Sequence, residues 1–201
     1  MRVAVIGVGN VGGAVASALT AAGEDVVVAA TSAEKAKQAA AGLDCEPAPD
    51  PHEAADGADA VILAIPFTAA EEVAGEIRDV VDGKPVIDVT NSQSVIENGK
   101  SDAETIQGWL PDAHVVKAFN TVFATQIGKS APDGSKLDGY LAGDDADAKA
   151  TVSTILRDAG LEPIDVGGLS MARALEGMAN VNISLNMANG WPWNTAWKLI
   201  R

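Results

Sequence analysis

Three glycines at fixed spacing stand in Ile6-Gly7-Val8-Gly9-Asn10-Val11-Gly12, and they offer chemistry through the backbone alone. In a G-x-G-x-x-G turn, Gly7 permits the tight bend, Gly9 puts no Cβ in the way of a pyrophosphate, and Gly12 lets a helix lie close to the preceding strand. The chemistry implied is phosphate binding by Gly7, Val8, Gly9, Asn10, Val11 and Gly12. A second group, Thr31, Ser32 and Lys35, follows where NAD-specific folds place an acidic residue on the ribose 2′-hydroxyl, about 20 residues after the turn. Two hydroxyls and an ammonium suit a 2′-phosphate instead, so NADP is expected over NAD. Thr31 with Glu34 also has the spacing of a capping box for a helix over 33–41, and the two roles are compatible.

Acid–base chemistry is poorly served. The chain has two histidines, His52 in a polar connector and His114 just before a strand, and neither keeps company with a carboxylate and a serine or lysine. Val115-Val116-Lys117-Ala118-Phe119-Asn120-Thr121 instead ends in an amide and a hydroxyl, with one lysine inside an otherwise apolar run. Cys45 is the single cysteine and reads as structural, and no metal-ligand spacing surrounds it.

These residues need elements to position them. Val3 to Ile6 is the β-branched run of a strand covered on both faces, and Val15, Leu19 and Ala22 recur at helical spacing after it. With a second strand over 25–30 they complete a βαβ unit of about thirty residues. A third strand over 58–65 stops at Pro66, a helix runs over 68–81, and a fourth strand covers 85–89. A fifth covers 115–121, and two more, 138–143 and 162–167, flank a helix over 146–159. The class is α/β: a Rossmann-type, doubly wound, mainly parallel sheet with a short C-terminal helical extension. Ligands of such sheets lie beyond the carboxyl ends of the strands, which nominates Ile65, Pro66, Phe67 and Asn91 as further lining.

Between the fourth and fifth strands, 91–99 is polar and rich in turn formers. Ser101 then caps a helix over 102–110, with Glu104 at the capping-box position. A last helix over 169–188 carries Leu175, Met178, Asn182 and Leu185 on one stripe, and three tryptophans crowd the tail Trp191-Pro192-Trp193-Asn194-Thr195-Ala196-Trp197. The expected organisation is a dinucleotide-binding domain over 1–168, with helix and tail over 169–201 packed on it and offering apolar surface for a homodimer.

Composition bounds the rest. A formal charge of −14 repels nucleic acid and anionic membrane, so a bound dinucleotide must be held by local amides and a few cations. No apolar run approaches the roughly 18 residues that span a bilayer. The opening strand has no charged-then-apolar leader before it, and a cytoplasmic location is expected.

Taken together, Ile6 to Gly12, Ala64-Ile65-Pro66, Asp88-Val89-Thr90-Asn91, Val116 to Thr121 and Ala174-Leu175-Glu176 resemble the family of short NADPH-dependent coenzyme F420 reductases, related to the reductase domains of membrane ferric reductases. The resemblance covers nearly the whole chain, and Lys-Ala-Phe-Asn-Thr is its most specific block. It implies NADP along the glycine turn, with the nicotinamide near Ile65, Pro66, Asn91 and Ala118 to Asn120, and it adds Lys117 to the cofactor-binding residues. One departure is that family members usually carry a Ser-Arg pair after the second strand, where this chain has Thr31-Ser32 followed by Ala33. The expected activity is hydride transfer between NADP(H) and coenzyme F420 or a flavin (FMN or FAD), with Asn120 and Thr121 orienting the donor. The alternative is a non-catalytic NADP(H)-sensing module or complex subunit. An imine or β-hydroxyacid reductase would need a larger helical domain than the residues after Gly168 supply.

Overall fold

A computed structural model of the chain describes residues 1–92 and 99–200. The strands are β1 (Arg2–Ile6), β2 (Asp25–Ala29), β3 (Glu46–Pro47), β4 (Ala60–Leu63), β5 (Pro85–Asp88), β6 (His114–Lys117), β7 (Asp138–Gly143) and β8 (Glu162–Asp165). They form one sheet in the order β3-β2-β1-β4-β5-β6-β7-β8. The direction of winding reverses between β1 and β4, as in a Rossmann sheet.

Seven α-helices are described: α1 (Asn10–Ala21), α2 (Ala33–Leu43), α3 (Pro51–Ala55), α4 (Ala70–Ile77), α5 (Asp102–Trp109), α6 (Ala146–Asp158) and α7 (Ala172–Asn189). The period of two along each strand sends alternate side chains to opposite faces. Val3, Val5, Ile62, Ile87 and Val116 meet Val15 and Leu19 of α1 and Val152 and Ile155 of α6 on one face. Ala4, Ile6, Val61, Val86 and Val115 meet Ala54 of α3, Ala74 and Ile77 of α4 and Ile106 of α5 on the other. The sheet is doubly wound, as the sequence implies.

The structure adds three local features. The Pro- and Asp-rich connector after α2 contributes the short edge strand β3, which pairs with β2 through Val27↔Glu46 and Val28↔Pro47. Strand β7 runs antiparallel to β6, through Val116↔Gly143 and Lys117↔Ala142. No α-helix lies between those two strands, and a parallel return usually needs a crossover helix. Helix α6 then provides one, so β8 lies parallel to β7. On α7 the apolar stripe is interrupted: Leu185 is exposed, whereas Leu175, Asn182 and Asn186 are buried. Asn182 and Asn186 join Thr195 of the tail in a hydrogen-bonded cluster. Val181, Met187, Trp191 and Trp193 leave apolar surface exposed in the region where the second copy is expected.

The glycine turn depends on two close backbone approaches. Gly7 has φ +102°, and a Cβ there would lie 2.3 Å from the Ala64 carbonyl oxygen of the neighbouring β4 end. A Cβ on Gly12 would lie 1.8 Å from the Gly7 carbonyl oxygen, whereas one on Gly9 would meet nothing within 4 Å. Gly12→Ala is therefore expected to lower the unfolding free energy in urea by about 1–3 kcal/mol or more. Gly9→Ala should stay within about 0.5 kcal/mol of the parent. Equal losses at the two positions would refute this division between packing and open space.

Candidate functional site

The turn between β1 and α1 opens into a cleft of about 660 Å³ lined in part by Ile6, Gly7, Val8, Gly9, Thr31, Ser32, Lys35, Ile65 and Pro66. Gly9 is the N-cap residue of α1, and no side chain caps the helix. The first N–H groups of a helix have no intrahelical acceptors, so Asn10, Val11 and Gly12 present donors at the positive end of the helix dipole. Open space at Gly9 and this uncapped helix end fit the phosphates of a dinucleotide.

At the end of β2 the structure assigns the cap differently from the sequence pattern. Ser32, not Thr31, is the N-cap of α2, and its Oγ accepts from the Lys35 backbone N–H at 3.3 Å. The Lys35 ammonium turns back to donate to Thr31 Oγ1 at 3.0 Å. Both hydroxyls and the ammonium therefore converge at one exposed corner of the cleft, and the set fits a 2′-phosphate. Asp50, Pro51, Glu72 and Glu76 also line this cleft and were not anticipated. Their only sequence signal was position: a connector and a helix that follow β2 and β4 at the carboxyl edge.

The remaining expected residues lie at the carboxyl ends of β5 and β6. Asn91 Nδ2 donates to the Asn120 carbonyl at 2.9 Å, and Asn120 Nδ2 donates to Asn91 Oδ1 at 3.0 Å. This reciprocal pair joins the two strand ends. Phe119, just before Asn120, has φ +62°, a left-handed conformation that costs a non-glycine residue on the order of 1 kcal/mol or more. Asn120 Oδ1 and Thr121 Oγ1 are buried and have no hydrogen-bond partner. Neither residue, nor Asn91, is among those that line the cleft. Phe67 does not line the cleft; its ring stacks on Trp109 with centroids 5.7 Å apart. The turn-rich stretch over 91–99 lies largely outside the described residues, at 93–98.

Lys117 is a correction. Its side chain is wholly buried and cannot reach a cofactor. Lys117 and Asp88 end adjacent strands at paired register, so their side chains leave the sheet on the same face. The ammonium donates to Asp88 Oδ2 at 2.7 Å and to the Thr90 carbonyl at 2.6 Å, and it pairs with Glu176 Oε1 of α7 at 2.8 Å. Asp88 Oδ1 accepts from Thr90 N–H at 2.8 Å. Asp102, first residue of α5, accepts from Thr90 Oγ1 at 3.0 Å and from Ser92 N–H at 2.7 Å, while its own N–H donates to Glu176 Oε1 at 2.9 Å. Burial pulls the Lys117 ammonium down, but Asp88 and Glu176 outweigh it and hold its pKa above the ordinary value. Burial pushes the Glu176 carboxyl up to about 7; Lys117 opposes this, and Asp102 and Asp88 add to it. On the outside of the same helix pair, Arg173 holds Glu104 down at about 2, and Ser101 and Glu104 form the expected capping box. The signal for this network was a lysine and an aspartate at the ends of two successive strands, with a glutamate in a buried helix.

Neither histidine lines the cleft. His114 opens β6 at the opposite edge of the sheet, and His52 sits on α3 with Nε2 3.5 Å from Asp79 Oδ1.

Sheet order, glycine turn and cleft define the class as a Rossmann-type dinucleotide-binding protein. A sequence profile described as "NADP oxidoreductase coenzyme F420-dependent" matches residues 2–92. The F420-dependent NADP reductase of Methanothermobacter thermautotrophicus is 32% identical over 212 residues, with 94% of this chain and 90% of that protein covered. The crystal structure of a candidate F420-dependent NADP reductase from Arthrobacter sp. FB24 is similar over 100% of both chains, with a TM-score of 0.87 and 28% identity. The rat metalloreductase STEAP3 is 34% identical over 102 residues, which are 50% of this chain and 21% of its own length, so this chain spans about a fifth of that relative. The chain belongs to the F420-dependent NADP oxidoreductase family. No helix among the described residues is long and apolar enough to cross a membrane.

The raised Glu176 pKa has a defined consequence for stability. A group protonated more readily in the folded state contributes stability that is full below the ordinary carboxylate range and is lost as pH rises through about 7. Glu176→Gln removes that dependence. Between about pH 5 and pH 8 the variant should gain roughly 2–3 kcal/mol relative to the parent in urea unfolding. A constant difference across that window would show that Glu176 titrates normally in the fold.

Proposed function

We propose that this enzyme exchanges a hydride between NADP(H) and a deazaflavin of the coenzyme F420 type, or a flavin such as FMN or FAD. The observation that carries the proposal is the neutral, unsatisfied edge at Asn120 and Thr121: Oδ1 and Oγ1 are buried without partners, and neither histidine of the chain is near. The dihydronicotinamide supplies the hydride and the acceptor ring takes it, so the protein's task is to hold two planar rings in position. Backbone donors of the Gly7–Gly12 turn hold the pyrophosphate. Thr31, Ser32 and Lys35 hold the 2′-phosphate in place of the Ser-Arg pair. Asn120 and Thr121 offer their free oxygens to the carboxamide end, with Asn91 bracing Asn120. A dehydrogenase that moves a hydroxyl proton needs an acid or base within hydrogen-bond reach of its substrate, and this edge presents amides and a hydroxyl instead. The likeness to the F420-dependent NADP reductase of Methanothermobacter thermautotrophicus, over 94% of this chain and 90% of that protein, supports the deazaflavin over other acceptors.

Calorimetric titration should give a lower Kd for NADP+ than for NAD+, and Ser32→Asp should weaken NADP+ by about tenfold or more while sparing NAD+, through repulsion and loss of a charge-assisted donor. An NAD+ preference in the parent would refute the 2′-phosphate assignment. Stopped-flow decay of NADPH absorbance, with F420, FMN or FAD in excess, tests the reaction itself. Acceleration over the enzyme-free background is expected with F420 or a flavin. Its absence with all three would leave the non-catalytic NADP(H)-sensing module as the better account.

A further inference from the structure

We propose that Lys117 is a positioning residue of this site: it fixes the Thr90 carbonyl and thereby the Asn91–Asn120 pair on which the nicotinamide end rests. The inference depends on the reading of that edge as the hydride-transfer site, and it assigns the Lys-Ala-Phe-Asn-Thr lysine a task other than cofactor contact.

The ammonium has three N–H donors, and three oxygens receive them: Asp88 Oδ2 at 2.7 Å, Thr90 O at 2.6 Å and Glu176 Oε1 at 2.8 Å. Its donor capacity is saturated, so no hydrogen of Lys117 is left for a ligand. Two of these partners are carboxylate side chains. The third is the Thr90 carbonyl, which completes the donor set of the buried ammonium and is itself fixed by it. Thr90 is secured on every side: its N–H goes to Asp88 Oδ1, its carbonyl to Lys117 and its hydroxyl to Asp102. Asp102 also holds the Ser92 N–H. Asn91 therefore lies between two clamped residues, and its side chain is free to meet Asn120 in the reciprocal pair. Every clamp traces to the same buried set of Asp88, Asp102, Lys117 and Glu176, drawn from β5, α5, β6 and α7.

A structural role and a positioning role predict different results once charge is controlled. Lys117→Met alone leaves neighbouring carboxylates buried without their counter-ion, so it should destabilise the fold. The triple variant Lys117→Met, Asp88→Asn, Glu176→Gln removes that imbalance. The side-chain amide introduced by Asp88→Asn can still accept from Thr90 N–H, and the one introduced by Glu176→Gln can still accept from Asp102 N–H. The interaction that Thr90 loses is therefore the donor to its carbonyl. The triple variant should regain cooperative unfolding and keep NADP+ affinity within about threefold. Its kcat with F420 should fall by about tenfold or more, as for an interaction that acts in the transition state more than in binding. A folded triple variant with parental kcat would overturn the proposal.

A readout without turnover separates this inference from the proposed reaction. In ¹⁵N spectra of the ligand-free protein, the side-chain amides of Asn91 and Asn120 should be exchange-protected in the parent and lose that protection in the triple variant. If the parent reduces neither F420 nor flavin but this loss occurs, the reaction fails and the positioning role stands. If protection is unchanged while the triple variant folds, Lys117 holds the fold alone and the proposal is refuted.

Discussion

The buried ammonium of Lys117 is the constraint around which the carboxyl edge is arranged. A charge taken out of water is tolerated only when its counter-ions and hydrogen bonds are nearly complete. Completing them draws Asp88 from the neighbouring strand and Glu176 from α7, while the same Glu176 oxygen receives the first N–H of α5. One ion thereby fixes the relation of two strand ends to two helices. Arg173 and Glu104 tie the same helices on the outside, but there the arginine is half exposed and the pair contributes less.

The two halves of the candidate site are built by opposite means. The phosphate half is made by leaving atoms out: Gly7 and Gly12 let backbones approach closer than any Cβ allows, and Gly9 keeps space open where the helix N-terminus is uncapped. The other half is made by polar groups that bond to one another, with Glu176 Oε2, Asn120 Oδ1 and Thr121 Oγ1 left without partners. Backbone geometry supplies phosphate recognition because every dinucleotide has the same pyrophosphate. Orientation of a ring demands particular side-chain atoms, and these are held by neighbours whose own bonds are nearly complete.

The resulting geometry accounts for the pattern of charges. A chain with a formal charge of −14 still holds a cationic corner at Lys35 next to the carboxylates of Asp50, Glu72 and Glu76 around the same cleft. The ammonium bonded to Thr31 is thus a local exception in a repulsive surround, so under the proposed binding mode its attraction for a 2′-phosphate is short-ranged.

The sequence by itself determined the parts that rest on near neighbours. The β1-turn-α1 unit, the Ser101–Glu104 box and the alternation of apolar strands with helices all arise from residues a few positions apart, where steric and hydrogen-bonding preferences act directly. The close backbone approaches of the glycine turn at Gly7 and Gly12 were legible for the same reason. Even locally there were limits: Thr31 and Ser32 both suit an N-cap, and one residue of register decided for Ser32. Tertiary structure alone decided that Glu46 and Pro47 pair as an edge strand, that β7 reverses, and that Lys117 faces inward rather than toward a cofactor. Each of these depends on partners contributed by distant elements, and the free energy of a buried charge is set by those partners rather than by the apolar run in which the lysine is written.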